Sequence, residues 1–327
     1  MAKILVTGGC GFFGSHLVDR LVKLNHTVTI IDDLSNGKIS NIKNSIKKIK
    51  LIKVDISENG EWKKYFKKID VVIHLAAIAD IVPSINNPTK YFNVNVKGTL
   101  NILENSREYK VKKIIYAASS SSYGIPKKYP TDELEKLNPQ YPYALTKKLG
   151  EDIVMNWGKI YNLNVTSLRF FNIYGERSRT TGSYGAMFGI FLAQKLNKKP
   201  FTIVGSGKQK RDFTYVTDVV EALIKSIKLK KKNQIINIGS GKCYSVNYIV
   251  KLLGGKKIYI PKRPGEPEIT WAKIQKAKRL LDWQPKIGIE QGVNKLLDNI
   301  NLWKNAPIWD KKKIKIATAD WFKYLKQ

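Results

Sequence analysis

The sequence has few of the residues that build disulfide frameworks or metal centres. It contains 2 cysteines and 3 histidines in 327 residues, and His16, His26 and His74 show no spacing typical of a metal site. Two cysteines do not make a disulfide framework, which is consistent with a reducing cytoplasm. The apolar runs are too short to span a bilayer, and the chain begins in a predicted strand rather than a signal peptide. We therefore expect a cytoplasmic protein with neither a metal site nor a membrane segment.

Acidic residues are also scarce. The chain has 26 Asp and Glu against 58 Lys and Arg, for a formal net charge of +32. Such an excess can indicate nucleic-acid binding. However, the lysines are spread along the whole chain and do not alternate with aromatic residues in one segment, as single-strand binders require. The pattern favours a lysine-rich solvated surface whose positive potential attracts an anionic substrate, with no nucleic-acid partner.

A glycine-rich turn near the N-terminus predicts a dinucleotide site. Residues 3–7 (KILVT) form an apolar, β-branched run that is typical of a buried strand. The segment that follows carries Gly8, Gly11 and Gly14 and runs directly into a stretch with helical periodicity from residue 14. Strand, glycines and helix in this order allow a pyrophosphate to bind at the helix N-terminus.

The end of the second predicted strand indicates which dinucleotide binds. Residues 27–31 lead into Asp32 and Asp33, about 20 residues beyond the glycines. A carboxylate at this place accepts hydrogen bonds from the adenosine ribose hydroxyls and repels a 2′-phosphate. NAD is therefore favoured over NADP, although Asp32 could instead cap a turn.

Strands and helices alternate as far as about residue 170, which predicts an α/β fold with a Rossmann-type, doubly wound parallel sheet. Beyond residue 175, glycines, prolines and lysines interrupt the pattern. We expect an NAD-binding domain over 1–175 and a smaller substrate-binding lobe over 176–327, with some late segment returning to the main sheet. The predicted strands are 3–7, 27–31, 50–54, 70–74, 113–117, 165–170, 201–204 and 234–238. The predicted helices are 14–24, 90–109, 142–161, 184–196, 217–228, 245–253 and 273–281.

A tyrosine and a lysine four residues apart, Tyr143 and Lys147, lie in a predicted helix. At this spacing the two side chains share one face and reach the same bound molecule. A phenol with a pKa of about 10 is a poor base at neutral pH. We expect the Lys147 ammonium and a cofactor cation to lower the pKa of Tyr143 toward the working range.

Several further motifs occur in a fixed order from Thr7 to about Trp283. They are residues 7–14 (TGGCGFFG), Asp55-Ile56, residues 74–77 (HLAA), 95–99 (NVKGT), 119–124 (SSSSYG), Tyr143 with Lys147, 169–175 (RFFNIYG) and 211–213 (RDF). With these motifs the chain resembles the extended short-chain dehydrogenase/reductases, within the NAD-dependent sugar-nucleotide epimerase/dehydratase family. The resemblance is closest to the UDP-glucose and UDP-N-acetylglucosamine 4-epimerases.

The resemblance implies a role for each matching residue. Ser119, Tyr143 and Lys147 would be the catalytic trio. The expected NAD contacts are Gly8, Gly11, Phe12, Phe13, Gly14, Asp32, Asp33, Asp55, Ile56, Leu75, Ala76, Ala77, Asn95, Tyr143 and Lys147. The expected substrate contacts are Ser120, Ser121, Asn172, Arg211, Arg263, Glu266 and Thr270. Asn95 and Asn172 could instead cap turns.

The serine run distinguishes between reactions within this family. The similar 4,6-dehydratases carry an Asp-Glu pair where this chain has Ser120 and Ser121, and the UDP-glucuronate decarboxylases keep a Glu at position 121. Serine hydroxyls are not acids or bases of comparable strength near pH 7. The 3,5-epimerases of GDP-sugars use a cysteine in this region, where this chain has none. The remaining trio is the equipment of a 4-epimerase, which oxidises C4 of the sugar and returns the hydride to the opposite face.

The choice of substrate depends on fewer residues. Thr270 stands where glucose-restricted 4-epimerases carry a bulky tyrosine, so the resemblance implies room for an N-acetyl group and favours a UDP-N-acetylhexosamine, with UDP-glucose in the same range. Arg177 and Arg179 could face an acidic group, which leaves UDP-glucuronate or another nucleotide sugar as alternatives. A catalytically silent NAD- or RNA-binding protein of the same fold is the alternative from a different class.

The resemblance also implies a homodimer. Relatives commonly dimerise through a four-helix bundle to which each subunit gives two helices. In this chain the corresponding helices are those predicted at 90–109 and 142–161.

Overall fold

The main sheet is built chiefly from the first half of the chain. The computed structural model describes residues 1–178 and 186–325. The first six strands are Lys3–Thr7 (β1), Thr27–Asp32 (β2), Ile49–Lys53 (β3), Val71–His74 (β4), Lys113–Ser119 (β5) and Val165–Phe170 (β6). The later ones are Asn172–Tyr174 (β7), Phe201–Val204 (β8), Lys210–Arg211 (β9), Phe213–Tyr215 (β10), Gln234–Ile238 (β11), Tyr244–Ser245 (β12) and Lys257–Ile260 (β13).

The main sheet is parallel throughout, with the strand order β11-β6-β5-β4-β1-β2-β3. Its central strands consist almost wholly of buried residues, as parallel strands covered on both faces do. The order reverses between β1 and β4, so their carboxyl ends open a crevice at that point. The predicted Rossmann-type fold is confirmed. The last strand of the sheet, β11, comes from beyond residue 175.

Helices cover both faces of the sheet. They are Phe12–Lys23 (α1), Ile81–Asn86 (α2), Pro88–Phe92 (α3), Gly98–Glu108 (α4), Pro142–Ile160 (α5), Met187–Leu196 (α6), Val216–Ile227 (α7), Val246–Leu253 (α8), Gln275–Leu281 (α9), Ile289–Asp298 (α10), Lys311–Ala317 (α11) and Ala319–Tyr324 (α12). The predicted helix at 90–109 is interrupted, because a π-helical turn at Asn93–Lys97 separates α3 from α4. Such single π turns are frequent at functional sites.

Most segments after residue 175 form a second layer over the crevice, whereas α7, β11 and α9 belong to the main sheet and its core. Three small sheets pair β7 with β10, β8 with β13 and β9 with β12. A second core cluster joins these strands to α6, α8 and α10 and includes Trp303 and Trp321. The sequence predicted no element beyond residue 281, so α10, α11 and α12 are additions that the structure supplies. Within residues 1–178 and 186–325, no helix is both long and apolar enough to cross a membrane.

Candidate active site

A cavity of about 670 Å³ lies at the carboxyl end of the sheet, between the sheet and the second layer. Of the residues predicted to contact cofactor or substrate, all except Asn95 line it. Open α/β sheets bind ligands at this kind of position, outside the carboxyl ends of the strands where the strand order reverses. The fold therefore brings the predicted residues together in one crevice.

The glycine turn forms one end of the cavity. Gly8 has φ +70°, a left-handed conformation that favours glycine, and a methyl group there would lie 2.8 Å from the backbone nitrogen of Ala76. A methyl group at Gly14 would lie 2.2 Å from the carbonyl oxygen of Gly8. Gly11 is the N-cap of α1, so the unpaired backbone N–H groups of that helix face this end of the cavity. A dinucleotide pyrophosphate fits such a turn.

Asp32 ends β2 beside the glycine turn. Its carboxylate accepts hydrogen bonds from the backbone N–H groups of Cys10 and Leu34, each at 2.9 Å. Burial raises the pKa of Asp32, while these two N–H donors oppose the shift. Each carboxylate oxygen has two acceptor sites, so Asp32 keeps capacity for ribose hydroxyls. Asp33 is exposed and accepts from Ser35.

Thr7 holds the neighbouring wall of the cavity in place. Its hydroxyl oxygen accepts from the backbone N–H groups of Leu75 and Ala76, both at 3.1 Å, where the chain leaves β4. The same hydroxyl lies 2.6 Å from the His74 Nδ1. Burial, and then the Lys147 charge, lower the pKa of His74 to about 3, so this imidazole is neutral at pH 7. His74 is therefore part of the wall's hydrogen-bond network.

Asn95 is buried and does not line the cavity. Its side-chain oxygen accepts from the Ile78 backbone N–H at 2.8 Å, and its amide donates to the Ile78 carbonyl at 3.0 Å. The amide also donates to the Thr146 hydroxyl at 3.0 Å, and that hydroxyl donates to the Tyr143 carbonyl at 2.9 Å. These contacts tie the loop after β4 to α5. Asn95 therefore holds the wall of the cavity in position, although its own side chain does not line the cavity.

The predicted trio meets at the centre of the cavity. Ser119 ends β5, while Tyr143 and Lys147 occupy successive turns of α5. The hydroxyls of Ser119 and Ser121 lie 2.8 Å apart, and both hydrogen-bond to the Tyr143 phenol. Burial raises the pKa of Tyr143, the Ser119 hydrogen bond lowers it, the Asp80 charge raises it and the Ser121 hydrogen bond lowers it. In the protein without bound cofactor, the pKa of Tyr143 therefore lies above the ordinary value for a phenol.

Lys147 is 5% exposed and lies with its Nζ 4.5 Å from the centroid of the Tyr116 ring. Burial lowers the pKa of Lys147 to about 7, and the Glu151 carboxylate one turn further along α5 opposes this shift. In the protein without cofactor, burial raises the pKa of Tyr143, and the two serine hydroxyls oppose that rise. The expected lowering of this pKa by Lys147 together with a cofactor cation stays a prediction.

Glu151 carries a buried ion pair that the sequence reading did not include. The Arg169 Nε lies 3.0 Å and 3.1 Å from the two Glu151 oxygens, and the Ser167 hydroxyl donates to Glu151 at 2.6 Å. Arg169 also donates to the Tyr123 hydroxyl at 2.8 Å. Lys147 and Glu151 are four residues apart on one helix, and this spacing was a signal that the acid lies beside Lys147.

The other end of the cavity holds the predicted substrate residues. Arg211 donates to Glu266 at 2.9 Å. The Thr270 hydroxyl donates to the side-chain oxygen of Asn172 at 2.9 Å. Arg263 lies with its guanidinium carbon 5.4 Å from the Trp321 ring centroid. Ser120 and Ser121 line the cavity between this end and the trio.

Three residues that the sequence reading missed shape this end. Asp212 accepts from the backbone N–H groups of Ser240 at 2.6 Å and Ala272 at 3.0 Å, which holds the segment that carries Thr270. Tyr141 stacks parallel to Tyr143, with 6.5 Å between ring centroids. Trp321 comes from the final helix, beyond the last recognised motif, so no sequence signal pointed to it.

The two arginines considered for an acidic sugar lie elsewhere or are not described. The Arg177 guanidinium donates to the Asp19 carboxylate at 2.7 Å, against α1, and Arg177 does not line the cavity. Arg179 falls outside the residues that the structure describes. Among the described residues that line the cavity, the cationic side chains are those of Lys147, Arg211 and Arg263.

This chain resembles known proteins in sequence and in structure over most of its length. A model described as the NAD dependent epimerase/dehydratase family matches residues 4–239. A UDP-glucuronate 4-epimerase from Thermodesulfobacterium geofontis is 35% identical, over 94% of this chain and 100% of its own length. The structure of a UDP-glucose 4-epimerase from Thermotoga maritima with UDP-glucose matches with a TM-score of 0.87 and 33% identity, over 91% of this chain and 98% of that one. A UDP-N-acetylglucosamine 4-epimerase from Methanobrevibacter ruminantium, in complex with UDP-N-acetylmuramic acid, matches with a TM-score of 0.85 and 31% identity, over 91% and 99%.

Proposed function

Because the chain belongs to the NAD-dependent epimerase/dehydratase family, we propose that it is a 4-epimerase of a UDP-sugar. The observation that carries the proposal is the set of groups around Tyr143. Ser119 and Ser121 hydrogen-bond to the phenol, and Lys147 lies one turn away on the same helix. A dehydratase needs an acid and a base beside this trio, and serines occupy positions 120 and 121.

Tyr143 acts as the base in this proposal. Bound NAD would supply the acceptor and donor of the C4 hydride, so the net redox change would be zero. The Tyr143 phenolate takes the proton of the sugar 4-hydroxyl, directly or through Ser119, and gives it back after the hydride returns. The serine hydroxyls beside the phenol oppose the rise in its pKa that burial causes, and so favour the phenolate. Lys147 supplies positive charge on the same helix face and a donor for the nicotinamide ribose.

The keto sugar has to present both faces to the same nicotinamide. Epimerisation therefore needs one end of the substrate to be held while the sugar turns. Arg211 and Arg263 lie at the end of the cavity away from the glycine turn and have the forked donors that suit a pyrophosphate. To Glu266, which is paired with Arg211, we assign the role of accepting hydrogen bonds from the uridine ribose.

We assign a UDP-N-acetylhexosamine as the preferred sugar, with UDP-glucose as a smaller substrate of the same site. Thr270 lines the cavity with a small side chain and is fixed by its hydrogen bond to Asn172. Of the two arginines considered for a hexuronate carboxylate, Arg177 is paired with Asp19 and does not line the cavity. Arg179 lies outside the described residues, so UDP-glucuronate stays an alternative substrate in the experiment below.

A homodimer is part of the same proposal. On α5, Leu145 and Ile160 are 46% and 61% exposed, respectively, and Phe92 at the end of α3 is 49% exposed. These exposed apolar side chains lie within the two segments to which the resemblance assigns the dimer interface. Light scattering coupled to size exclusion should give about twice the 37.2 kDa of one chain, whereas a monomer at micromolar concentration would contradict the dimer.

The deciding experiment follows C4 configuration directly. The purified protein is incubated separately with UDP-N-acetylglucosamine, UDP-glucose and UDP-glucuronate, and proton NMR reports the configuration at C4. We expect inversion fastest with the N-acetyl sugar. Tyr143→Phe, which keeps the ring and loses the base, should retain NAD without turnover. Loss of water from a sugar would reject the epimerase assignment, and co-purified RNA without any turnover would favour the silent binding protein.

A further inference from the structure

The final helix, α12, contributes a tryptophan to the nucleotide-sugar cavity. Trp321 borders the cavity but is only 1% exposed, so it contacts neighbouring residues more than it faces a ligand. On one side its ring centroid lies 5.9 Å from that of Tyr141, which in turn stacks on Tyr143. On the other side it faces Arg263. The indole is therefore fixed between the catalytic helix and the loop that carries Arg263.

Two separate contacts connect Trp321 to that loop. The indole N–H donates to the carbonyl oxygen of Pro264 at 2.8 Å, next to Arg263 in the chain. The guanidinium carbon of Arg263 lies 5.4 Å from the ring centroid, within the range of a cation–π interaction. The first contact fixes the backbone at Arg263 and the second orients its side chain. A single packing contact would do neither.

We propose that Trp321 is a positioning residue of the substrate site, and that it acts by holding Arg263 toward the pyrophosphate of a nucleoside diphosphate. Trp321, rather than the rest of α12, then belongs to the binding machinery. This inference rests on the proposed function, because the pyrophosphate is that of the UDP-sugar. Binding of the nucleotide diphosphate tests it without any turnover.

The affinity for UDP reports directly whether Trp321 holds Arg263 toward the pyrophosphate. Isothermal titration of UDP into the full-length, NAD-loaded protein is compared for wild type, Trp321→Leu, Arg263→Ala and the double variant. Tyr324→Ala, on the same helix and 61% exposed, is the matched control. We expect Trp321→Leu to weaken UDP binding about tenfold, the size of a lost cation–π contact in a desolvated site. Tyr324→Ala should bind as the wild type does.

The double variant separates positioning from general packing. If Trp321 acts through Arg263, the double variant should bind UDP no more weakly than Arg263→Ala alone. In turnover with the preferred UDP-sugar, Trp321→Leu should raise KM about tenfold and leave kcat within about twofold, because the pyrophosphate is held equally in ground and transition states. A purely structural role would instead reduce the NAD content and the amount of active enzyme.

Two results would overturn the inference. One is an unchanged UDP affinity in a folded Trp321→Leu variant. The other is a double variant whose loss of UDP affinity equals the product of the losses in the two single variants. If Trp321→Leu unfolds, the same set of variants is measured with Trp321→Phe in its place. Phenylalanine keeps an aromatic ring but loses the indole N–H that donates to Pro264, so we expect UDP binding to weaken about threefold. The same two results would overturn the inference. UDP binding without epimerisation of any sugar would reject the proposed function and leave this inference intact.

Discussion

The ammonium of Lys147 lies 4.5 Å from the centroid of the Tyr116 ring. An ammonium over an aromatic face is stabilised by the ring's quadrupole, and the gain is largest where water is excluded. Burial outweighs the opposing Glu151 charge and brings the pKa of Lys147 down to about 7, so the charged and neutral forms are nearly balanced at neutral pH. The ring therefore helps to keep the cation that the proposed mechanism needs.

Replacing Tyr116 by leucine should make the enzyme lose activity at a lower pH. Without the ring, the charged form of Lys147 loses stabilisation and its pKa falls further. Since Lys147 acts as the cation, the basic limb of the kcat profile should move to lower pH, by up to about one unit. The measurement is kcat for epimerisation between pH 6 and 10. Tyr116→Phe keeps the ring and should keep the wild-type limb; an unshifted limb in the leucine variant would contradict the role of the ring.

Replacing Gly14 by alanine should cost the protein its NAD. The added methyl group would lie 2.2 Å from the carbonyl oxygen of Gly8, so the turn has to distort where the pyrophosphate approaches the backbone. The expected result is a drop of at least about tenfold in NAD retained per chain, measured by chromatography of the nucleotide released on denaturation. Gly288→Ala is the control, because its methyl group would meet only an ordinary contact at 3.7 Å with Glu290. Full NAD content in Gly14→Ala would show that the turn does not hold the pyrophosphate.

Tyrosine at position 270 should change which sugar the enzyme accepts. Thr270 lines the cavity, so a ring there fills the space that the proposal gives to the N-acetyl group. We expect kcat/KM for UDP-N-acetylglucosamine to fall at least about tenfold relative to that for UDP-glucose, as steric exclusion from a pocket allows. Thr270→Val loses the hydrogen bond to Asn172 but keeps the size, and it should keep the wild-type preference. An equal loss for both sugars in Thr270→Tyr would remove position 270 from the specificity argument.

The strands of the sheet and the Tyr143–Lys147 pair could be predicted from the sequence because each depends on residues that are close together along the chain. Buried parallel strands have apolar, β-branched runs of their own, and the i, i+4 spacing of Tyr143 and Lys147 is a property of one helix. The resemblance then identified residues such as Arg211 and Thr270, which line the same cavity although 59 positions separate them along the chain. Trp321 was missed because it lies beyond the last motif and reaches the cavity through tertiary packing alone.

The sign of the Tyr143 pKa shift could not be predicted from sequence either. The spacing of Tyr143 and Lys147 is correct, but the shift depends on how deeply the phenol is buried and on which hydroxyls reach it. Ser119 ends β5 and Ser121 lies in the short 3-10 turn that follows, and only the fold sets their distance from α5. The sequence thus indicated which groups surround the phenol, while burial decided that the pKa of Tyr143 is raised and not lowered.

The buried pair of Glu151 and Arg169 should be essential to stability in a way that an exposed pair on the same helix is not. Their side chains are only 3% and 4% exposed, so glutamine at position 151 leaves the guanidinium charge without its counter-ion in a water-poor environment. Breaking such a pair costs about 3–5 kcal/mol in the free energy of unfolding. The control, Asp152→Asn, breaks the Lys148–Asp152 pair on the adjacent position, where both side chains meet solvent, and should cost less than about 1 kcal/mol. Urea unfolding of the two variants gives the comparison. Equal losses would mean that Arg169 finds enough partners in Tyr123 and the surrounding backbone, and that the ion pair does not anchor α5 to β6.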